Sequence, residues 1–216
     1  MKYPQARLLV FSKAPEPGAA KTRLIPLLGA EGAARYYAGM LDNTLDKALA
    51  ADLCPVELWC TPDTGHAHFQ DCRARHPLTL HAQCGSDLGT RMAQALDSVL
   101  QRARHALLIG ADCPALAGAD LAAALQALTA GTDVVLGPAQ DGGYYLIGLS
   151  RCHPGLFADI PWGSARVLEL TLQRCRGHGL TWHCLPEHAD LDTPADYLRH
   201  HAGGLVPGNA ENHCDY

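Results

Sequence analysis

Residues 106–114 read Ala106-Leu-Leu-Ile-Gly-Ala111 followed by Asp112-Cys113-Pro114. A short apolar run bounded by turn residues is a strand signal, and this run is the most apolar one in the chain. It ends on an acid. Outward from it, six further strand runs occur: Arg7–Ser12, Val56–Thr61, Leu78–His81, Asp133–Gly137, Tyr145–Leu149 and Leu180–Cys184. Candidate helices lie between them at Gly32–Leu49, Leu88–Ala103, Gly118–Leu128 and Ser164–Arg176. Within the first of these, Ala34, Tyr37, Leu41 and Leu45 recur at three- and four-residue spacings, as on an amphipathic helix. Strand–helix alternation of this kind predicts an α/β sandwich built from βαβ units.

One stretch breaks the alternation. The runs within Asp133–Leu149 are separated only by Pro138-Ala-Gln-Asp-Gly-Gly143, too short for a crossover helix. An antiparallel insertion in an otherwise parallel sheet follows. Residues 1–202 are expected to form a single domain, and 203–216 (GGLVPGNAENHCDY), without periodicity, a flexible tail.

The chain has 216 residues, 48% hydrophobic and 18% charged, with a formal charge of -5. That composition excludes a disordered or fibrous chain. The acidic balance argues against a nucleic-acid or anionic-membrane binder, and no run approaches the roughly 20 apolar residues of a membrane span. A small-molecule ligand and a cytoplasmic location are expected. Nine cysteines include no C-x-x-C pair, so neither a disulfide framework nor a structural zinc site is expected. His66-x-His68 and His200-His201 read as adventitious metal affinity.

In open α/β sheets the ligand sits beyond the carboxyl ends of the strands, so residues that follow strand runs are the informative ones. Lys13-Ala-Pro-Glu-Pro-Gly-Ala-Ala-Lys21-Thr22-Arg23 follows the first strand and holds two of the four lysines in the chain. A Gly/Pro-shaped loop with three cationic side chains can present backbone N–H groups and fixed charge to a polyphosphate. It matches neither the Walker A loop nor the G-x-G-x-x-G fingerprint. Asp112 can hold a divalent cation against phosphate oxygens or cap the following helix. Asp190-Leu-Asp192 places two carboxylates at i and i+2 on one side of an extended segment, where one could complete a cation site. Thr193 or Asp192 could also cap a helix 194–200 that begins at Pro194. The stretch from Gln83 to Met92 is a ligand loop or an ordinary cap. Asp141-Gly142-Gly143 fits a hairpin turn, with Tyr144 and Tyr145 in the core or on a sugar-stacking face. Trp162-Gly163-Ser164 reads as a helix entry with Ser164 as cap.

Taken in order, FSKAPEPGAAKTRL, QCGSDLGTRM, IGADCPAL, GPAQDGGYYLIGL, IPWGSARVLELTL and DLDTPADY resemble a bacterial family of nucleotide-diphospho-sugar-transferase-like proteins. That family is often described as an uncharacterised glycosyltransferase group, with some members in arsenosugar biosynthesis. More distant kin are guanylyltransferases of molybdenum-cofactor and phospholactate metabolism. The resemblance covers about residues 8–197. Two positions depart from the family pattern, Ala111 where a Thr is expected and Trp162-Gly163-Ser164 in place of a Trp-Ser-Thr-like triplet.

The resemblance implies a GT-A-type, Rossmann-like, three-layer α/β/α sandwich with the nucleotide at the carboxyl edge of the sheet. It implies Mg²⁺ or Mn²⁺ on Asp112, with Asp192 as the matching late acid and Asp190 as second choice. Nucleotide and phosphate contacts are expected from Lys13, Pro15, Gly18, Lys21, Thr22, Arg23, Gln83, Gly85, Arg91 and Gly110. Contacts to the transferred group or acceptor are expected from Gly142, Gly143, Tyr144, Trp162 and Ser164. The leading expectation is a cation-dependent glycosyltransferase using a nucleotide-diphospho sugar and a small-molecule acceptor. In it, Lys21 and Arg23 neutralise the leaving diphosphate and Asp141 orients or deprotonates the acceptor. The alternative is a nucleotidyltransferase that joins an NTP to a phosphorylated small molecule and releases pyrophosphate. A third reading, a nucleotide-binding protein without chemistry, sits poorly with the joint presence of Lys13, Lys21, Arg23, Asp112 and Asp192.

Overall fold

The computed structural model of the protein describes residues 1–202, with the side chains of Pro154, His201 and Ala202 left aside. The tail expected at 203–216 lies outside the described residues. Seven strands form one sheet: β1 (Ala6–Lys13), β2 (Val56–Thr61), β3 (Thr79–Ala82), β4 (His105–Gly110), β5 (Val134–Pro138), β6 (Tyr144–Leu149) and β7 (Trp182–Cys184). Their order is β3-β2-β1-β4-β6-β5-β7. All pairings are parallel except those of β6, which runs antiparallel to both β4 and β5. The short Pro138–Gly143 connection therefore forms a hairpin, as the sequence predicts.

The helices are α1 (Ile25–Ala50), α2 (Ala67–Arg75), α3 (Leu88–Leu100), α4 (Gly118–Thr129), α5 (Val167–Gly177) and α6 (Pro194–Ala202). Alternate residues of each strand face opposite sides of the sheet, and two clusters divide accordingly. Leu8, Val10, Leu58, Leu107 and Ile109 pack with Leu41 and Leu45 of α1, Phe69 of α2 and Leu121 and Leu125 of α4. On the other face Leu9, Phe11, Leu108, Leu136 and Ile147 pack with Met92 and Leu96 of α3 and Cys175 of α5. The three-layer α/β/α arrangement of the GT-A type follows.

Three elements differ from the sequence expectation. Helix α1 begins at Ile25 rather than Gly32, because Pro26 suits a first helical turn and the helix then kinks at Gly29, whose φ is 70°. Helix α2 has no strong apolar periodicity, only Phe69 and Cys72 being buried in it, and the sequence reading passed over it. Helix α5 begins at Val167, not Ser164. Ser164 stands one turn earlier, its Oγ accepting from the Arg166 N–H at 3.4 Å.

The chain moves outward from β1 to β2 and β3, then returns to place β4 on the other side of β1. The switch point of the sheet therefore lies between the carboxyl ends of β1 and β4, where a crevice forms in α/β sheets. All eight described cysteines are free, and burial pushes the Cys54 and Cys60 thiols up to about 12. No helix among the described residues is long and apolar enough to cross a membrane.

Candidate active site

A cavity of about 640 Å³ opens at this switch point, a size that suits a small ligand. Ser12 and Lys13 from β1, Gly110 of β4 with Ala111 and Asp112 just after it, and Tyr144 from β6 reach it. Antiparallel β6 starts at the edge where β1 and β4 end, so all three strands contribute to one rim.

The acids meet here for identifiable reasons. Gly110 closes β4, and a Cβ on it would lie 2.7 Å from Asp112 Oδ1. The missing side chain leaves the room in which the Asp112 carboxylate turns back over the strand end. The Asp190–Asp192 segment is fixed by Leu191, which is 2% exposed and packs with Leu24, Ala33 and Met40. The Leu191 N–H also donates to the Asp112 carbonyl at 3.4 Å. One apolar anchor thus holds a carboxylate on either side of it. Downstream, the Asp196 carboxylate accepts from the Thr193 N–H at 2.8 Å and the Thr193 Oγ1 from the Asp196 N–H at 3.3 Å. This reciprocal cap starts α6 and identifies Thr193, not Asp192, as its cap. Asp112 is not a cap either, since α4 begins at Gly118 with Ala117 before it.

Lys21 sits between the acids. Its ammonium lies 3.4 Å from Asp112 Oδ2 and 3.3 Å from Asp192 Oδ1, on a side chain only 4% exposed. Lys21 holds a left-handed backbone with φ 45°, a conformation uncommon for a residue with a Cβ. Arg23 ion-pairs with the other Asp192 oxygen. Burial first, then the charges of Asp112 and Asp141, push the Asp190 carboxyl up to about 7, against the opposing pull of Lys21. Carboxylate oxygens are the hard donors that Mg²⁺ or Mn²⁺ prefers, and Asp112 and Asp192 converge here, so the residues fit such an ion.

Around this centre, the Lys13 ammonium lies 5.9 Å from the centroid of the Tyr37 ring, and the Tyr37 hydroxyl accepts from the Lys13 N–H at 3.3 Å. Burial, with the Asp112 charge second, pushes the Tyr37 phenol up to about 12. The Gln83 amide donates to the Ser12 carbonyl at 3.2 Å and the Trp59 carbonyl at 2.8 Å, which ties together the ends of β1 and β2. Arg91 enters from the first turn of α3 and donates to the Gly85 carbonyl at 3.3 Å. Asp141 stands on the hairpin turn, its Oδ1 accepting from the Gly143 N–H at 2.8 Å.

Of the residues expected at a site, Lys13, Lys21, Thr22, Arg23, Gln83, Arg91, Gly110, Asp112, Asp141, Tyr144 and Asp192 line the cavity. Pro15, Gly18, Gly85, Gly142, Gly143, Trp162, Ser164 and Asp190 do not. Two of these have structural duties instead. Gly142 has φ 87°, and a Cβ there would meet the Ala165 carbonyl oxygen at 2.2 Å. Trp162 packs over Gly89, where a Cβ would fall 2.3 Å from its indole nitrogen, and sets its ring edge-on to Tyr144 at 6.4 Å. It supports the wall from behind. Tyr145 is core, its hydroxyl donating to the Pro186 carbonyl and its ring stacked on His188. The apolar wall is Phe11, Leu88 and Met92 with Tyr37; the sequence reading names none of them as a site residue, although Leu88 and Met92 fall in the Gln83–Met92 stretch that reads as ligand loop or cap. Leu88 is 45% exposed, and nothing in a helical pattern distinguishes such a residue from ordinary surface.

A seven-stranded sheet with one antiparallel strand and an acid-lined carboxyl edge defines the nucleotidyltransferase and GT-A-like class of α/β fold. The chain belongs to the DUF2064 family, described as uncharacterised proteins conserved in bacteria, whose model matches residues 44–164. The family resemblance in the sequence motifs is thereby borne out. A candidate nucleotide-diphospho-sugar transferase from Desulfovibrio desulfuricans G20 superposes with a TM-score of 0.85 at 30% identity, covering 94% of this chain and 90% of its own. CMP:2-keto-3-deoxy-manno-octonic acid synthetase, complexed with CTP, gives 0.59 at 14% identity over 93% of this chain and 100% of that one. Rv0371C of Mycobacterium tuberculosis H37Rv, in complex with manganese, gives 0.51 at 21% identity over 90% and 97%. The last two likenesses concern the fold. No curated protein matches the chain.

Proposed function

We propose that this cavity is the active site of a cytoplasmic, divalent-cation-dependent glycosyltransferase that takes a nucleotide-diphospho sugar as donor. The observation that carries the reading is the convergence of Asp112 and Asp192 on the single ammonium of Lys21 at the switch point of the sheet. The 30%-identical relative described as a nucleotide-diphospho-sugar transferase supports it. Mg²⁺ or Mn²⁺, held by Asp112 and Asp192 with Asp190 beside them, would neutralise charge gathering on the departing diphosphate.

The chain's own residues do the rest. Lys21 and Arg23 are already aimed at the acids and share their N–H donors with phosphate oxygens when a diphosphate arrives. Lys13 adds a third positive charge at the end of β1. Phe11, Leu88 and Met92 offer an apolar surface to the base. Asp141, exposed on the hairpin at the cavity rim, takes the acceptor proton as the acceptor oxygen bonds to the sugar carbon and the carbon–diphosphate bond breaks.

A second reading is nucleotidyl transfer, favoured by one observation. Four cationic side chains, Lys13, Lys21, Arg23 and Arg91, line the same cavity, which suits a triphosphate as well as a diphosphate. Product analysis with Mn²⁺ separates the two. Release of a nucleoside diphosphate from a sugar nucleotide supports glycosyl transfer. Release of pyrophosphate from an NTP and a sugar phosphate replaces it with the second reading. Neither product, across a panel of both donor classes, overturns the assignment.

A further inference from the structure

Away from the cavity, three metal-ligating side chains of different chemistry come together between α1 and α2. Asp42 projects from α1, while His68 and Cys72 lie four residues apart on α2 and so share one helix face. His68 Nε2 lies 3.1 Å from Asp42 Oδ1, and Cys72 Sγ lies 3.5 Å from the same oxygen. All three ligand atoms fall within 4.8 Å of one another. Such separations are what donor atoms about 2.0–2.3 Å from a common ion require. None of the three lines the cavity described above.

Two features mark the cluster as more than a surface ion pair. His68 Nε2 is buried yet has no hydrogen-bond partner, the nearby carboxylate lying outside hydrogen-bonding direction. Cys72 is fully buried at the edge of the core cluster, and its thiol reaches the Asp42 carboxylate. The Arg75 guanidinium occupies the remaining side, 2.8 Å from Asp42 Oδ1 and 3.7 Å from Cys72 Sγ. It is half exposed, so it can swing into solvent and leave its place to another cation.

We propose that Asp42, His68 and Cys72 bind a zinc-class divalent ion, with water completing the coordination. One carboxylate oxygen, one imidazole nitrogen and one sulfur form a borderline-soft set that suits Zn²⁺ and not Mg²⁺ or Mn²⁺. The Cys72 proton leaves to solvent as the sulfur binds the ion. The absence of a C-x-x-C pair argued against structural zinc, but here the ligands come from an i,i+4 pair and a carboxylate far away in sequence. The ion would clamp α2, a nine-residue helix with only Phe69 and Cys72 buried, onto α1. Helices this short hold little stability of their own.

The test is a Co²⁺ titration of the reduced, chelator-stripped full chain, read by absorption. The expected result is one equivalent with a sulfur-to-cobalt charge-transfer band, displaced by Zn²⁺. Cys72→Ser removes the band and His68→Gln weakens binding at least tenfold, while Arg75→Ala, which removes the competing cation, tightens it. Cys84→Ser, at an exposed thiol, changes nothing. Should Cys72→Ser fail to fold, His68→Gln and Arg75→Ala carry the test with circular dichroism as the control. No charge-transfer band in the native protein, or affinity unmoved in both of those variants, overturns the proposal.

Discussion

Gly110 and Asp112 share one volume: a Cβ on Gly110 would stand 2.7 Å from the Asp112 Oδ1 that projects over the end of β4. Gly110 therefore sets the aim of the carboxylate by leaving it room at the cavity wall. Gly110→Ala is expected to fold, because the clash is with a side chain that can turn. It is expected to lose about tenfold or more in Mn²⁺ affinity, the usual cost of disturbing a group that orients a ligand. Calorimetric titration of Mn²⁺ in the presence of nucleotide checks this, and native-like affinity would remove Gly110 from the account.

Lys21 gives a prediction of two opposite signs. Its ammonium stands beside both acids, so without a ligand it competes with a cation for them. Lys21→Met is expected to bind Mn²⁺ alone several-fold more tightly. It is expected to bind nucleotide roughly tenfold more weakly, because a charge-assisted hydrogen bond is lost. A loss of both affinities would mean that Lys21 only supports the local fold.

The strand–helix alternation and the antiparallel insertion were legible in the sequence, because apolar runs and the lengths of the links between them report these directly, whereas the strand order was not. Asp112, Lys21 and Arg23 were legible too, as charged residues that follow strands in an α/β pattern. Other features were not legible, for physical reasons. Spacing alone does not separate Asp190 from Asp192, although the family resemblance favours Asp192; only Asp192 lines the cavity, since Leu191 fixes which way each faces. Helix α2 carries too few buried residues to show a period. Trp162 and Gly142 resemble ligand contacts but are explained by Gly89 and by the Ala165 carbonyl, neighbours that only the folded chain brings near.

Glu57, the second residue of β2, is 4% exposed. Arg102 grips it through two bonds of 2.7 and 2.8 Å and the Trp59 indole N–H donates to it at 3.2 Å, while Arg7 at 3.8 Å and His81 at 3.6 Å stand farther off. Arg102→Met leaves a buried carboxylate poorly paired and is expected to cost about 2 kcal/mol, less than a fully buried pair because Arg102 is itself half exposed. The double variant with Glu57→Gln should lose less than the sum of the two single losses, as denaturant unfolding will read. Additive losses would mean that the pair is not coupled.

Asp133 gives a pH signature. Hydrogen bonds from Thr181, then the Arg151 guanidinium, lower its carboxyl to about 2, beneath the roughly 3.9 of an unfolded chain. Its contribution to stability is complete above about pH 4 and disappears as pH falls through about 2. Asp133→Asn should be less stable than the native protein by roughly 1–2 kcal/mol at pH 6, allowing for the exposure of Arg151. The gap should close as pH falls through about 2. A gap that stayed constant across this range would assign the loss to packing instead.

The central claim is that Asp112 helps hold a cation through which a nucleotide binds. The most direct measurement is the melting temperature of the native chain and of Asp112→Asn with nucleotides and nucleotide-diphospho sugars, each with and without Mn²⁺. A ligand that binds only the folded state raises the melting temperature by mass action. The account predicts that at least one nucleotide or nucleotide sugar stabilises the native chain only when Mn²⁺ is present, and that Asp112→Asn abolishes this shift. Equal stabilisation without the cation, or an undiminished shift in Asp112→Asn, would contradict it.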